Sequence, residues 1–412
     1  MGGPKMGLDL KLYLRDIENS INKDDYLLVY FPYHQLIAHR EAMEFSGIVG
    51  GIPFISLFIF TGILVNLIQV SCYLTIWPVS KSTFRRINGA ITELLWLEVV
   101  WLMEWWSGFE VKVHTDAKTC QLMGKEHAII MPNHVSDSDT LLTWILAQRV
   151  GCLRSALTIV KKTTRYLPVF GWTNWFSESI FLDRNWAKDE SKLKSSFEAL
   201  SDYPTPFWMT IFVEGTRLTA DKLVEAQSFA SSKGYPIPKN VLIPKTKGIV
   251  TAVQSLRSFV PAIYDVTIAI PKHQPFFPTL LTFLKMQPCK VVVHIKRYST
   301  KDLPESDQGI AQWCRNRFIA KDELLENFAA TGTFDEEEIT EFRRSTKSLI
   351  VTLIFAGIFL VGGWIFLKRL SSGWQYPTLA TIIGSVAIVV HIFIEFTKMP
   401  PPKIKATQIC TQ

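Results

Sequence analysis

Cysteine is scarce and scattered in this 412-residue chain. Its six cysteines (Cys72, Cys120, Cys152, Cys289, Cys314 and Cys410) never form a C-x-x-C pair. That spacing argues against structural zinc and against a disulfide framework. No N-x-S/T acceptor occurs, so nothing marks a glycosylated lumenal surface. A G-x-S-x-G elbow is also missing, which removes the usual sign of a serine nucleophile. There is no internal repeat. The basic residues are scattered and sit in no nucleic-acid motif, so nucleic acid is not an expected partner.

Charge is missing over long stretches. No Asp, Glu, Lys or Arg stands between Glu44 and Lys81. The centre of that gap, Ile48 to Trp77, is longer than the roughly 20 apolar residues that cross a hydrocarbon layer. Further uncharged runs cover Ser348–Leu367 and Leu370–Ile394. The first run begins too far from the N-terminus, and is too long, for a cleaved signal. The chain is therefore expected to stay in a membrane. The formal charge of +7 suits anionic lipid surfaces and phosphorylated substrates.

These runs divide the chain. Residues 1–47 are polar, and "DLKLYLRDIENSINKDD" reads as a short amphipathic helix without an assigned role. Residues 48–109 form an N-terminal membrane two-helix motif, with Lys81, Arg85 and Arg86 as a cytosolic flank. Its second helix, about Ile87–Trp106, carries Trp96, Trp101, Trp105 and Trp106 together with Glu93, Glu98 and Glu104. Carboxylates disfavour a full span and tryptophan favours headgroups, so an interfacial or shallowly buried helix beside the first span is expected. Residues 348–396 read as a transmembrane hairpin and 397–412 as a basic tail. Arg343, Arg344 and Lys347 before the pair, and Lys398, Lys403 and Lys405 after it, place both ends in the cytosol. Lys368 and Arg369 in the link go against that rule.

Between residues 110 and 347 the texture changes. "HAIIM", "FWMTIFV", "NVLIP", "FVPAIYDVTIAI" and "KVVVHIKRYS" read as strands. "DTLLTWILAQRVG", "KDESKLKSSFEALSD" and "IAQWCRNRFIAKDELLENF" read as helices. Alternation of this kind predicts an α/β domain with a mostly parallel sheet flanked by helices.

The chemistry gathers at "IIMPNHVSDSD", Ile129 to Asp139, where a strand, a loop and a helix start meet. Ligands of open α/β sheets bind beyond the C-terminal strand ends. Asp139 can reach back to one nitrogen of His134, fixing the tautomer and leaving the other nitrogen as a base. An ordinary helix cap, or a hard cation on Asp137 and Asp139, are the competing readings. "FVEGTR", Phe212 to Arg217, ends a second strand and offers N–H groups and a guanidinium to one small volume. "FLDR" adds Arg184, and Lys161, Lys162, Lys245 and Lys247 add positive charge.

"NHVSDSD", "FLDR", "FVEGTR" and "FVPAIY", in this order, resemble the four motifs of the glycerolipid acyltransferases. The likeness is to the 1-acylglycerol-3-phosphate acyltransferases of the plant and algal endoplasmic reticulum, over roughly Gly50 to Phe396. The resemblance implies an acyltransferase α/β domain with His134 as general base and Asp139 orienting it. It implies that lysophosphatidic acid is acylated at its sn-2 hydroxyl directly from acyl-CoA, with no acyl-enzyme, no metal and no cofactor. Glu214, Gly215, Thr216 and Arg217 would shape the acceptor site, with Arg217 and Arg184 on the phosphate and Pro261 lining a pocket. Lys161, Lys162 and Lys245 are candidate phosphate or CoA contacts. Another lysophospholipid, with a glycerol, inositol or cardiolipin-type headgroup, is the alternative acceptor. A multi-pass protein of the endoplasmic reticulum membrane, its active site facing the cytosol, is implied. Ser138 and Thr140 depart from the isoleucine and tryptophan usual in such proteins, which bears on the pocket wall.

Overall fold

Strands that are apolar on both sides need helices on both faces. The computed structural model, which describes residues 50–334, 339–340, 343–370, 384 and 388, has that arrangement. The N-terminal amphipathic segment and nearly all of the third apolar run lie outside the described residues.

The strands are β1 (Glu110–His114), β2 (Ala128–Pro132), β3 (Ala156–Lys161), β4 (Ile180–Leu182), β5 (Trp208–Thr210), β6 (Ala262–Ala269), β7 (Lys290–Ser299) and β8 (Ile339–Thr340). They form one eight-stranded sheet in the order β4-β3-β5-β2-β6-β7-β1-β8. Among the described residues, only the β6/β7 and β1/β8 pairs are antiparallel. The expected mostly parallel sheet is therefore present. β2 sits centrally between β5 and β6.

The helices are α1 (Gly50–Thr75), α2 (Lys81–Trp101), α3 (Ala117–Leu122), α4 (Asp139–Arg149), α5 (Phe170–Phe176), α6 (Trp186–Glu198), α7 (Ala220–Lys233), α8 (Thr246–Leu256), α9 (Leu280–Leu284), α10 (Asp307–Thr331) and α11 (Thr346–Leu370). Successive side chains of a strand point to opposite faces. Ile130 of β2 enters a core with Trp96 of α2 and Trp144 and Ile145 of α4. Its neighbours Ile129 and Met131 enter the other core, with Phe197 of α6, Val253 of α8 and Phe318 of α10.

Two expected strands differ. "NVLIP" is a loop, because the Leu242 N–H is taken by the Glu214 carboxylate and not by a neighbouring strand. "FWMTIFV" shortens to Trp208–Thr210, after which the chain turns into the site.

The tryptophan-rich α2 is buried more deeply than an interfacial helix. Leu95, Trp96, Leu97 and Val100 are all within 1% of full burial. Trp96 stacks on Trp144 at 4.1 Å between ring centroids. Its carboxylates find partners that composition could not show. Glu104, in the π-helical turn Leu102–Trp106 that extends α2, meets Arg149 at 2.6 Å. Glu93 meets Arg154 at 3.0 Å and Lys347 at 2.5 Å. α1 does pack beside α2, as expected. Thr61 Oγ1 lies 2.9 Å from Glu98, and Gln69 donates to Asn88 at 2.9 Å and Thr92 at 3.0 Å. Ile63, Leu64, Leu67 and Ile68 remain exposed on its outer side.

Candidate active site

The C-terminal end of β2 positions everything else. Asn133 follows the strand and uses its amide as a clamp. Its Oδ1 accepts from Ile268 N–H at 2.7 Å, and its Nδ2 donates to the Ile268 carbonyl at 3.1 Å. The loop after β2 is thereby fixed to the end of β6. His134 is the next residue.

Asp139, the first residue of α4, is 2% exposed. Its Oδ2 accepts from His134 Nδ1 at 2.9 Å, from Val135 N–H at 2.6 Å and from Ser136 N–H at 2.8 Å. One oxygen thus both closes the loop and orients the imidazole. An ionised carboxylate can only accept, so Nδ1 is the donor and Nε2 carries the lone pair. Phe212 packs on the imidazole at 4.3 Å between centroids. The His134 side chain stays 19% exposed, open to a substrate proton.

The Glu-Gly-Thr-Arg turn grips the same histidine by its main chain. Glu214 Oε1 accepts from His134 N–H at 3.0 Å, and the His134 carbonyl accepts from Leu218 N–H at 2.8 Å. The other Glu214 oxygen accepts from Leu242 N–H at 3.3 Å. Glu214 is therefore inside the scaffold and not on a substrate surface. Burial pushes its carboxyl up to about 8, against the pull of its two backbone donors. Gly215 makes the turn in the left-handed region (φ +69°) that side chains rarely adopt, and Lys245 lies across it. Arg217 Nη1 stands 3.9 Å from Asp137 Oδ2. Burial raises the Asp137 carboxyl, with Arg217 opposing.

Arg184 reaches the same edge from the loop after β4. It sits at φ +62°, a left-handed conformation uncommon for any residue but glycine. Buried Asp189 holds it there by accepting from Asp183 N–H and Asn185 N–H, each at 2.9 Å. Lys162 bonds Asp183 at 3.0 Å in that loop. Lys161 ends β3 and is exposed.

Pro261 is not brought to this cluster. It precedes β6, whose first residue pairs with Ala128 at the start of β2. Ile268, at the site, is seven residues further on, roughly 23 Å at a strand rise of about 3.3 Å per residue. The strand has to cross the sheet before it arrives, so Pro261 belongs to the opposite edge. Ser138 is buried. It donates to the Pro278 carbonyl at 3.0 Å, as Ser136 does, which ties the loop to the segment before α9.

Two family models match the chain. One described as "Acyltransferase" matches residues 110–271, and one described as "Acyltransferase C-terminus" matches 282–355. The chain is 51% identical to 1-acyl-sn-glycerol-3-phosphate acyltransferase 2 of Arabidopsis thaliana over 346 residues, which are 83% of this chain and 89% of that one. It is 46% identical to acyltransferase 3 of the same plant over 82% of this chain and 90% of that one. It is 35% identical to the gamma form from Homo sapiens over 80% of this chain and 86% of that one. The chain belongs to the 1-acyl-sn-glycerol-3-phosphate acyltransferase family.

Two features of this acyltransferase escaped the motifs. Lys321 of α10 is 2% exposed and pairs with Asp265 Oδ1 at 2.6 Å. It also donates to the carbonyls of Met131 and Val266, joining β2 and β6 just below the site. A signal existed: Lys321 falls on the stripe Ile310, Cys314, Phe318, Leu325, Phe328, where every other member is apolar. The second is Lys222 of α7, which donates to Thr216 Oγ1.

Proposed function

We propose that this protein transfers a fatty acyl group from acyl-CoA to the sn-2 hydroxyl of lysophosphatidic acid, giving phosphatidic acid. The observation that carries the reading is the convergence of His134 on Asp139 and on the Glu-Gly-Thr-Arg turn, with Arg217 beside Asp137. The names of its relatives point to the same acceptor.

His134 Nε2 takes the proton of the sn-2 hydroxyl as its oxygen attacks the thioester carbon. The Nδ1–H held by Asp139 stabilises the imidazolium that forms. The tetrahedral intermediate then expels CoA, and the imidazolium returns the proton to the departing sulfur. One C–O bond forms and one C–S bond breaks, so the balance closes without a metal or cofactor. A thiol leaves readily, and positioning with one base suffices for much of the barrier. Arg217 and Arg184 hold the phosphate, and Thr216 and Gly215 let it approach the turn.

Among the described residues, two helices are long and apolar enough to cross a membrane, Gly50–Thr75 and Thr346–Arg369, with mean hydropathies of 2.2 and 2.5. They would hold the site where both amphiphilic substrates reside. We place the protein in the endoplasmic reticulum membrane with the site facing the cytosol. The division into an N-terminal two-helix motif, the α/β domain of residues 110–347 and a C-terminal hairpin is part of the same proposal. An acceptor panel with labelled oleoyl-CoA and the purified protein in vesicles tests it. Lysophosphatidic acid should outcompete lysophosphatidylglycerol and lysophosphatidylinositol, and chelator should leave the rate unchanged. Preference for another headgroup, or inactivation by chelator, would overturn the substrate or the mechanism.

A further inference from the structure

Lys222 stands in the first turn of α7, after the N-cap Thr219. Its ammonium donates to the hydroxyl of Thr216. A β-carbon added to Gly215 would meet Lys245 Cδ at 3.2 Å and Nζ at 3.5 Å, so Lys245 crosses the same turn. Arg217 follows Thr216 directly, and Arg184 enters from the loop braced by Asp189. Burial, then the fields of Arg217, Arg184 and Lys245, lower the Lys222 ammonium, with Glu225 acting the other way. Four cationic side chains from three loops and a helix therefore bear on one small volume. Like charges gathered this way favour an anion among them. Nearby Asp137 is a weak counter-charge, since it lies 3.9 Å from Arg217 and burial favours its neutral form.

We propose that Lys222 is a substrate-binding residue which, with Arg184, Arg217 and Lys245, holds a phosphate monoester dianion beside Thr216. This rests on the acyltransferase reading, in which both substrates carry such a group: the acceptor headgroup and the 3′-phosphate of CoA. An ammonium has three donors, so one can keep Thr216 in place while the others face phosphate oxygens. A monoester brings up to two charges and a phosphodiester one, so a fourth cation favours the monoester.

The experiment compares Lys222→Met and Lys222→Arg in the full-length protein, with the KM for each substrate measured separately. A charge-assisted hydrogen bond to an ionised group contributes about 1.5–3 kcal/mol, which converts to about ten- to a hundredfold in affinity. Lys222→Met should raise one KM by at least about tenfold while kcat falls much less, and Lys222→Arg should recover most of the loss. If the affected substrate is the acceptor, the preference for lysophosphatidic acid over lysophosphatidylglycerol collapses. If it is the donor, the penalty vanishes when acyl-dephospho-CoA replaces acyl-CoA. Equal losses with and without the phosphate monoester, or no recovery in Lys222→Arg, would overturn the proposal in favour of a structural role.

Equilibrium binding of lysophosphatidic acid and of CoA to His134→Ala, with and without Lys222→Met, gives a second readout independent of turnover. Weakened binding with no acyl transfer by the wild type would sink the proposed function and keep the phosphate site. Normal acyl transfer with unmoved binding and KM would do the reverse.

Discussion

The loop edge of the sheet and the α1–α2 face both bury carboxylates, and they use them differently. At the edge, Asp139 and Glu214 accept from backbone N–H groups and from His134. At the face, Glu104 and Glu93 answer mainly arginine and lysine, with one backbone donor, Ser345 N–H, on Glu104, and Glu98 meets the Thr61 hydroxyl. Backbone donors fix a loop in one shape, so the edge is rigid around an accessible imidazole. Ion pairs fix elements to each other, so the face binds helices together. The edge should therefore govern rate, and the face should govern stability.

Variants that separate the two readouts sharpen the contrast. Asp139→Asn removes the carboxylate that fixes the His134 tautomer. It should lower acyl transfer by roughly 10²–10⁴-fold while the protein remains folded and inserted. A thermal melt matching the wild type, alongside the lost rate, checks this. A rate within a few-fold of wild type would break the assignment.

Arg149→Met addresses the face. It takes the guanidinium from Glu104, which has no exposed side-chain surface and keeps the Ser345 N–H at 3.0 Å. Removing one partner of a buried pair costs about 3–5 kcal/mol. Denaturant unfolding in detergent should show that loss, and the turnover per folded molecule should hold.

A pH series reads the environment of one edge carboxyl, Glu214, through a variant that removes it. Folded Glu214 keeps its proton up to about pH 8, whereas an ordinary glutamate releases it near 4.5. Between those values the folded state binds more protons than the unfolded state, so stability falls as pH rises through the window. The wild type should lose thermal stability over this range more steeply than Glu214→Gln. Parallel curves would contradict the burial of this carboxyl.

The smallest effect concerns the outer side of α1. Leu67 is 60% exposed and Leu74 is 68% exposed. A charge within a span costs about 2.5–3.5 kcal/mol at its centre. Leu67→Asp should loosen membrane retention in carbonate extraction without releasing the protein, because α11 remains apolar and only 6% of its window is buried.

Much of this was legible in the residues. Apolar strands alternating with helical stripes announced the parallel sheet, and the spacing of His134 and Asp139 announced their hydrogen bond. Length and hydropathy identified α1 and α11 but could not tell them apart, since about half of α1 is buried and α11 is almost wholly exposed. Thr61, Asn66 and Gln69 within α1 were the clue, because polar groups in an apolar helix seek protein partners. The depth of α2 was hidden because Arg149, Arg154 and Lys347 are distant in sequence. The distance of Pro261 from the His134 loop was hidden because a motif's order does not say which end of a strand carries it. Lys222 was missed because its cationic neighbours come from separate loops.

The central claim is that His134, oriented by Asp139, removes the proton from the lipid hydroxyl. Its most direct test is the single-turnover rate of phosphatidic acid formation by vesicle-embedded His134→Ala with saturating oleoyl-CoA and lysophosphatidic acid. The rate should fall by at least about 10²-fold, with both substrates still bound. Phosphatidic acid formed at the wild-type rate would contradict the account.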